Sequence, residues 1–258
     1  MNTITRQDLL AAFDALLQPA RFKDYGPNGL QVEGKAEVCR IVSGVTASRA
    51  LIEAAIQAKA DAIFVHHGLF WRGQDSCNMG PVVGWMKQRL ALLLLHDINL
   101  FAYHLPLDAH PELGNNAQLG RELGLTASAC FGEQNLGFMG GRTDGSSFAN
   151  ACDLAQHIEN TLKRPVTQVG PTHSAIKKIA WCSGGAQGFF EAAIAAGTDA
   201  FITGEISEPQ AHYAREMGVT FIACGHHASE RYGAPAVALH VAAQFGLCHQ
   251  FIDIDNPA

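Results

Sequence analysis

Short apolar runs that end in glycine or polar residues alternate along the chain with segments whose apolar residues recur every three or four positions. The first pattern is typical of buried strands and the second of amphipathic helices, so we predict an α/β protein. Helices are predicted at about 6–19, 48–59, 85–95, 148–162, 189–196 and 235–245. Strands are predicted at 39–45, 63–68, 100–103, 179–183, 200–203, 219–224 and 248–254.

One helix-to-strand stretch occurs twice. Residues 53–62 and 191–200 match at seven of ten positions without a gap, at a constant offset of 138. Alanine-rich helices share alanines by chance, but Glu, Ile and Asp also coincide here. Self-similarity of this kind predicts a duplicated βαβ unit. We therefore predict two similar α/β domains, 1–125 and 126–258, the second including a Gly-rich connecting segment.

Polar side chains follow the predicted strands in both halves. The strand at 63–68 carries His66 and His67, and their equivalents at the offset of 138 are Gly204 and Glu205. Two further strands are followed by His104-x-x-x-Asp108 and His226-x-x-x-Glu230, which have the same spacing. Ligands bind at the carboxyl ends of strands in open α/β sheets. The two halves are thus predicted to present their histidines and carboxylates at strand ends.

Several connections contain turn-forming residues. Residues 24–31 and the segment 104–111, with Pro106 and Pro111, are predicted to be non-helical loops. The first is equally compatible with a plain connector and with a loop that lines a site. Asn115 and Asn116 are interpreted as caps of a helix that ends near residue 123. Residues 183–188 are interpreted as a tight turn, with anion binding as the alternative.

The candidate residues combine imidazoles and carboxylates without a thiolate, a set that suits Zn, Mn, Fe or Ni. They are more numerous than one tetrahedral ion requires, which favours two ions joined by a bridging hydroxide. The adjacent histidines diverge at a strand end and would serve different ions more easily than one. His104 or His227 is a candidate orienting or proton-carrying group. The alternative is that these are unrelated polar residues. The candidates are His66, His67, His104, Asp108, His226 and Glu230, with Glu205 less secure.

Composition narrows the function classes. A formal charge of −6 without a cluster of Lys and Arg argues against nucleic-acid binding. We expect no signal peptide and no membrane span, hence a soluble, cytoplasmic protein. Seven scattered cysteines favour small buried apolar residues over a disulfide framework or a zinc ribbon. Nucleophile-elbow, P-loop and dinucleotide-binding signatures are absent from the sequence.

The motifs together resemble the YbgI, or NIF-three-like, family, often labelled GTP cyclohydrolase I type 2 homologues. The resemblance runs from about Asp24 to Pro257 and rests on five motifs. It implies two similar α/β domains, a dinuclear metal site in the cleft between them, and a homohexameric ring. The motifs are Asp24-x-x-x-Asn28-Gly29-Leu30-Gln31, Val65-His66-His67-Gly68, His104-Leu105-Pro106-Leu107-Asp108-Ala109-His110, Ile202-Thr203-Gly204-Glu205 and Gly225-His226-His227-x-x-x-Glu230.

The same resemblance implies a ligand set for two divalent ions per chain. Glu230 would bridge both ions, His67 and Asp108 would serve one, and His66 and His226 the other. The function expected first is a metal-dependent hydrolase acting on GTP or a related nucleotide through a bridging hydroxide. A metal-binding or metal-delivery protein without turnover is the rival. A third interpretation is an interaction protein in which the metals only stabilise the ring.

Overall fold

The computed structural model describes residues 2–72 and 81–258, and these residues form two compact units. The first unit contains Met1–Leu107 and Gly233–Asp255, and the second contains Asp108–Tyr232 and Asn256–Ala258. This division differs from the expected 1–125 and 126–258, because the last helix and strand pack with the first unit. No helix within the described residues is long and apolar enough to cross a bilayer.

The first unit is built on a mostly parallel sheet. Its strands are β1 Ile4–Thr5, β2 Gly29–Val32, β3 Glu37–Val38, β4 Arg40–Thr46, β5 Ala62–His67, β6 Asn99–Ala102 and β13 Cys248–Phe251. Five of them form one sheet in the order β13-β4-β5-β6-β2, in which only β2 is antiparallel to its neighbour, while β1 and β3 form a separate antiparallel pair. The helices are α1 Arg6–Leu17, α2 Arg49–Gln57, α3 Gly84–Leu95, α4 Leu105–Ala109 and α10 Gly233–Phe245, with a 3-10 turn at Pro19–Arg21.

The second unit is built on a mixed sheet. Its strands are β7 Leu125–Phe131, β8 Gly137–Arg142, β9 Thr167–Val169, β10 Ile179–Trp181, β11 Ala200–Thr203 and β12 Thr220–Ala223. They form one six-stranded sheet in the order β7-β8-β10-β11-β12-β9, with a parallel centre from β10 to β12. The helices are α5 Asn115–Glu122, α6 Ala151–Leu162, α7 Phe190–Ala195, α8 Glu208–Met217 and α9 His226–Ser229, with 3-10 turns at Glu133–Asn135 and Gln187–Phe189. The start of α4 belongs to the first unit and its end, from Asp108, to the second.

The duplication is visible in the register of the two sheets. Ile41 pairs with Ala62 between β4 and β5, and at the offset of 138 Ile179 pairs with Ala200 between β10 and β11. The aspartate that both repeats share also makes equivalent hydrogen bonds in each. Asp61 accepts the amides of Cys39 and Arg40, and Asp199 accepts those of Lys177 and Lys178. In each repeat this Asp therefore fixes the start of the first strand, which is β4 in the first unit and β10 in the second.

The third strand of each repeat corrects one part of the sequence interpretation. Ala62 pairs with Asn99, and its equivalent Ala200 pairs with Thr220, so the third strands of the two repeats are related by an offset of 121. His104 and His226, however, are 122 residues apart. His104 therefore corresponds to Gly225, and not to His226. The shared His-x-x-x-carboxylate spacing is consequently one residue out of register and is not inherited from the duplication.

Two predicted loops contain regular structure. Residues 105–109 form α4, because Pro106 occupies the first turn, where a helix needs no amide donor, and Pro111 lies beyond its end. Residues 29–32 form β2 on the edge of the first sheet, with a bulge between Leu30 and Val32. The prediction that both segments are loops without a helix or strand was wrong.

Two further expectations fail in the second unit. Residues 126–172 are not a separate connecting segment, because β7, β8 and β9 pair into the six-stranded sheet. Asn115 and Asn116 are not caps, because the cap of α5 is Gly114, and both asparagines are buried inside the helix. The cores are as the apolar patterns predict: α2 packs beside β4 and β5, and α6 beside β10 and β11.

The cysteines are less buried than expected. Cys182 and Cys224 are buried, but Cys130 and Cys152 are exposed, since β7 is an edge strand and Cys152 lies in the first turn of α6. The remaining described cysteines, Cys39 and Cys248, are half-buried, and Cys77 lies outside the described residues.

The Asp61 carboxylate is expected to stabilise the first unit in a pH-dependent way. Burial raises its pKa, but hydrogen bonds from Lys35, Cys39 and Arg40 outweigh burial and bring the pKa below its usual value. Asp61→Asn should therefore lower the free energy of unfolding by about 2 kcal/mol at pH 7. Because the folded pKa is depressed, this difference should disappear as the pH falls through that pKa. Urea titrations at pH 7 and at about pH 3 measure it.

Asp199→Asn is the matched control, because Asp199 accepts the equivalent amides but is half-buried and receives no hydrogen bond from a lysine side chain among the described residues. A loss for Asp61→Asn no larger than that of the control, or one independent of pH, would contradict this account of the carboxylate.

Candidate metal centre

Three histidines of the first unit lie together at the carboxyl ends of β5 and β6. His66 and His67 are the last two residues of β5. Tyr103 follows the end of β6, and His104 comes directly after it. Their ring centroids are 4.4 Å apart for His66 and His67, 4.9 Å for His66 and His104, and 5.8 Å for His67 and His104. One nitrogen of each ring lies within 4.8 Å of the other two. The alternating pattern of a strand would point the first two apart, but here they converge.

Each of these three rings has a partner at Nδ1. Nδ1 of His66 is 3.2 Å from the carbonyl oxygen of Tyr103, and Nδ1 of His67 is 3.2 Å from the hydroxyl of Thr46. Nδ1 of His104 is 2.7 Å from a carboxylate oxygen of Asp24. A metal-binding imidazole characteristically makes such a bond through the nitrogen that does not touch the metal. The Nε2 atoms are therefore the expected ligand atoms.

Asp24 organises the loop around His104. Its buried carboxylate accepts the backbone amides of Tyr25 and Leu105 and the side-chain amide of Asn28, in addition to His104. Asn28 in turn accepts the backbone amide of His104 at 2.7 Å. Burial raises the pKa of Asp24, but the His104 imidazole and the amide donors outweigh burial, so the pKa lies below its usual value. Asp24 is thus an anion at neutral pH.

Gln31 fixes the turn that follows His67. Its side-chain oxygen accepts the amide of Leu69 at 2.7 Å, and its nitrogen donates to the carbonyl of Pro27 at 2.8 Å. A Cβ on Gly68 would displace the end of the Gln31 side chain, so a glycine here lets Gln31 keep these hydrogen bonds. The segment 24–31, interpreted as either a connector or part of a site, therefore lies against the histidine cluster.

In the second unit, Asp108 is a buried carboxylate near the end of α4. One of its oxygens accepts the side-chain amide of Asn115 at 2.8 Å and the hydroxyl of Ser183 at 3.3 Å. Asn116 holds the same region by donating to the carbonyl of Asp108 and accepting the amide of Ser183. The two asparagines thus position Asp108, which sequence reasoning missed because an Asn pair before a helix usually indicates a cap.

His226 lies between two carboxylates. Its Nδ1 is 2.6 Å from Glu205, and its Nε2 is 3.3 Å from the buried Glu230. Burial lowers the pKa of His226, but both carboxylates outweigh burial and raise the pKa to about 9. Glu205, a less secure candidate in the sequence, is therefore the orienting partner of His226. One oxygen of Glu230 also lies within 4.8 Å of a carboxylate oxygen of Asp108.

The glycine-rich turn 183–188 forms a wall of this carboxylate cluster. Gly184 has a φ of +66°, and a Cβ there would collide with Oε1 of Glu230 and lie 3.2 Å from Nε2 of His226. Its amide donates to the hydroxyl of Ser229, which donates to the carbonyl of His226. The turn is tight, as interpreted from the sequence, and its backbone packs closely against the candidate ligands Glu230 and His226.

The predicted residues thus fall into two sets. His66, His67 and His104 lie together in the first unit, and Asp108, His226 and Glu230 in the second. His227 is buried in α9 and its amide donates to the carbonyl of Ala258, but its predicted proton-carrying role stays a prediction. Imidazoles and carboxylates with their other polar atoms already hydrogen-bonded fit a divalent metal ion. Several of these groups could hold such an ion.

A methyl group at position 184 is expected to disturb metal binding. Gly184→Ala should reduce affinity for Zn²⁺ or Mn²⁺ at least about tenfold, because its Cβ displaces Glu230. Gly218→Ala is the matched control: Gly218 has the same φ of +66° and no neighbouring atom within 4 Å of an added Cβ. Both variants should lose about 1 kcal/mol of stability from backbone strain. Isothermal titration calorimetry measures the affinities, and equal affinities in the two variants would contradict the role of Gly184.

Comparison with known proteins places this chain in a family. Residues 4–257 match the family model of Duf34/NIF3 (NGG1p interacting factor 3). A protein of Neisseria meningitidis serogroup A named "GTP cyclohydrolase 1 type 2 homolog" is 51% identical over 257 residues, with 99% of this chain and 100% of that protein covered. A Pseudomonas aeruginosa protein of the same name is 48% identical over 258 residues, with 99% of both covered.

Solved structures agree with the sequence relatives. The structure described as "protein ybgI, unknown function" has 44% identity and a TM-score of 0.92, covering 99% of this chain and 100% of that chain. A protein of Thermus thermophilus has 32% identity and a TM-score of 0.83 with the same coverage. The resemblance that the five motifs suggested is confirmed. This chain belongs to the Duf34/NIF3 family.

Proposed function

We propose that the chain is a dinuclear metal-dependent hydrolase that acts on GTP or a related nucleotide. His66 and His67 of the first unit and Asp108, His226 and Glu230 of the second would together hold two divalent ions, with Glu230 shared. One observation carries the proposal: the donors exceed what one ion needs, and two of them are carboxylates that can bridge. The names of the relatives support the nucleotide substrate.

Two divalent ions held there would supply Lewis acidity and activate water for attack on the substrate. Neighbouring side chains orient the proposed metal ligands by hydrogen bonds. Asn115 and Ser183 hold one oxygen of Asp108 and so orient its carboxylate. Glu205 accepts the Nδ1 proton of His226, which presents Nε2 toward Glu230. Such orienting partners typically change metal affinity or activity by about 10- to 100-fold.

A proton carrier is also needed, because hydrolysis transfers a proton to the leaving group. His104 and His227 are the proposed carriers. Asp24 keeps the proton of His104 on Nδ1, so Nε2 is the atom that can accept and return a proton. The homohexameric ring that the family resemblance implies stays a prediction.

Metal content tests the dinuclear proposal. The native protein should contain two equivalents of divalent metal per chain, measured by inductively coupled plasma mass spectrometry. Glu230→Gln and His67→Ala should each retain one equivalent or fewer, because each removes a proposed ligand. His212→Ala is the control, since His212 makes an exposed i,i+4 pair with Glu208 at 2.8 Å, far from any proposed ligand along the chain. One equivalent or none, unchanged by these substitutions, would refute the dinuclear site.

Hydrolysis is tested separately from binding. The metal-loaded protein should open the imidazole ring of GTP, followed as loss of the purine absorbance, and chelation should abolish the reaction. Asp108→Asn should lower kcat at least about 100-fold, with the His212→Ala control unchanged. Two bound equivalents without turnover of GTP or other nucleotides would reject the hydrolase and favour a metal-binding or metal-delivery protein.

A further inference from the structure

We propose that residues 256–258, here called the tail, position the short helix α9, and that Arg164 holds the tail in place. His226 lies in α9 and Glu230 directly follows it, and both are ligands in the dinuclear proposal. The tail belongs to the second unit, as Arg164 and α9 do, although residues 233–255 belong to the first. The inference rests on the proposed function only for what the two ligands bind. It makes Arg164 a positioning residue, which acts through the tail and not by contact with metal or substrate.

The helix α9 depends on contacts from outside itself. It is a single turn, His226–Ser229, and a helix this short is not stable alone. It begins after Gly225, and no side chain among the described residues caps its start. The first amides of a helix have no partner within the helix. The amide of His227 finds its partner in the carbonyl oxygen of Ala258, at 3.2 Å. The tail thus does for α9 what an N-cap side chain does for other helices.

The half-buried Arg164 side chain binds two consecutive carbonyl oxygens of the tail. Its Nη1 donates to the carbonyl of Ala258 at 2.8 Å, and its Nη2 donates to that of Pro257 at 3.0 Å. The N–H groups of a guanidinium form a rigid planar fork, so this pair of hydrogen bonds fixes direction as well as distance. Asn256 closes the tail into a turn, because its side-chain oxygen accepts the amide of Ala258 at 2.9 Å. The carbonyl of Ala258 is therefore shared between Arg164 and the amide of His227.

Gly225 leaves room for this guanidinium at the start of α9. Its φ is +99°, and an added Cβ would collide with the guanidinium of Arg164. The arginine therefore packs directly against the backbone from which α9 begins. At the other end of α9, the hydroxyl of Ser229 accepts the amide of Gly184 at 2.9 Å. The glycine-rich turn thus holds the end of α9, while Arg164 and the tail hold its start.

The test removes each partner of this contact in turn. Arg164→Ala removes the guanidinium, and a chain that ends at Asp255 lacks the tail. Hydrogen–deuterium exchange of the metal-free chain, followed by mass spectrometry on peptides that cover α9, should be about five- to tenfold faster in each variant. A chain with both changes should exchange no faster than the chain without the tail, because both changes disrupt one contact. Arg142→Ala is the control, since Arg142 makes a surface ion pair with Asp144 at 3.1 Å in the same unit.

Zinc binding distinguishes positioning of the ligands from simple docking of the tail. Arg164→Ala and the chain without the tail should each bind Zn²⁺ about tenfold more weakly in isothermal titration calorimetry, as happens when other groups that orient ligands are lost. Arg164→Lys keeps a donor for one of the two carbonyls, so it should weaken zinc binding less than Arg164→Ala does. Arg142→Ala should bind zinc as the native chain does.

Each outcome decides a separate question. Unchanged exchange at α9 in either variant, or effects of the two changes that add, would refute the role of the tail. Faster exchange with the zinc affinity of the native chain would refute the positioning of His226 and Glu230. If the native chain binds no zinc, the proposed function fails instead, and the exchange rates still decide whether the tail fixes α9. Should Arg164→Ala not fold, as judged by circular dichroism, Arg164→Lys replaces it in both measurements.

Discussion

The hydrogen bonds of the buried Asp24 carboxylate determine how His104 is held in the histidine cluster. Four donors converge on the carboxylate, and it stands eighty residues before the His104 imidazole that it orients. A buried carboxylate with fewer partners would lose more in desolvation than it gains, and would take up a proton instead. The His104 imidazole and the amides of Asn28 and Leu105 keep the pKa of Asp24 low, and the ionised carboxylate in turn holds the proton of His104 on Nδ1. The local structure of the loop that contains Asp24 thus determines that Nε2 of His104 is the nitrogen that can accept a proton.

The duplication explains the scaffold but not the ligands. Both repeats keep the strand register and the aspartate that accepts two backbone amides, because these features determine whether the sheet forms. The strand ends are free of that constraint, and they have diverged: Gly204 and Glu205 stand where the first repeat has His66 and His67, and Gly225 stands where it has His104. Each unit consequently contains a different set of candidate donors, imidazoles in the first and two carboxylates with the His226 imidazole in the second.

The sequence predicts well what depends on local pattern. The strands that carry the histidines, and the helices α1, α2 and α3, follow from apolar periodicity. The family resemblance correctly identifies the fold. What the sequence pattern does not predict depends on contacts between residues distant along the chain or within it, such as Asp24 with His104 or Asn115 with Asp108. The equal spacing of His104-Asp108 and His226-Glu230 was persuasive, yet the sheet register shows a shift of one residue, which only strand pairing can reveal. Pro106 was misinterpreted because a proline in the first helical turn and a proline in a loop have the same local sequence.

The charges of the donors suggest why the two units contribute different residues. Imidazoles are neutral ligands, so histidines alone would leave the positive charge of a bound ion uncompensated. Two divalent ions about 4 Å apart repel each other by on the order of 17 kcal/mol at an effective dielectric constant of about 20. Neutral donors cannot offset that repulsion, whereas the carboxylates of Asp108 and Glu230 can. In the proposed dinuclear site, Asp108 and Glu230 would therefore supply the negative charge that the imidazoles lack.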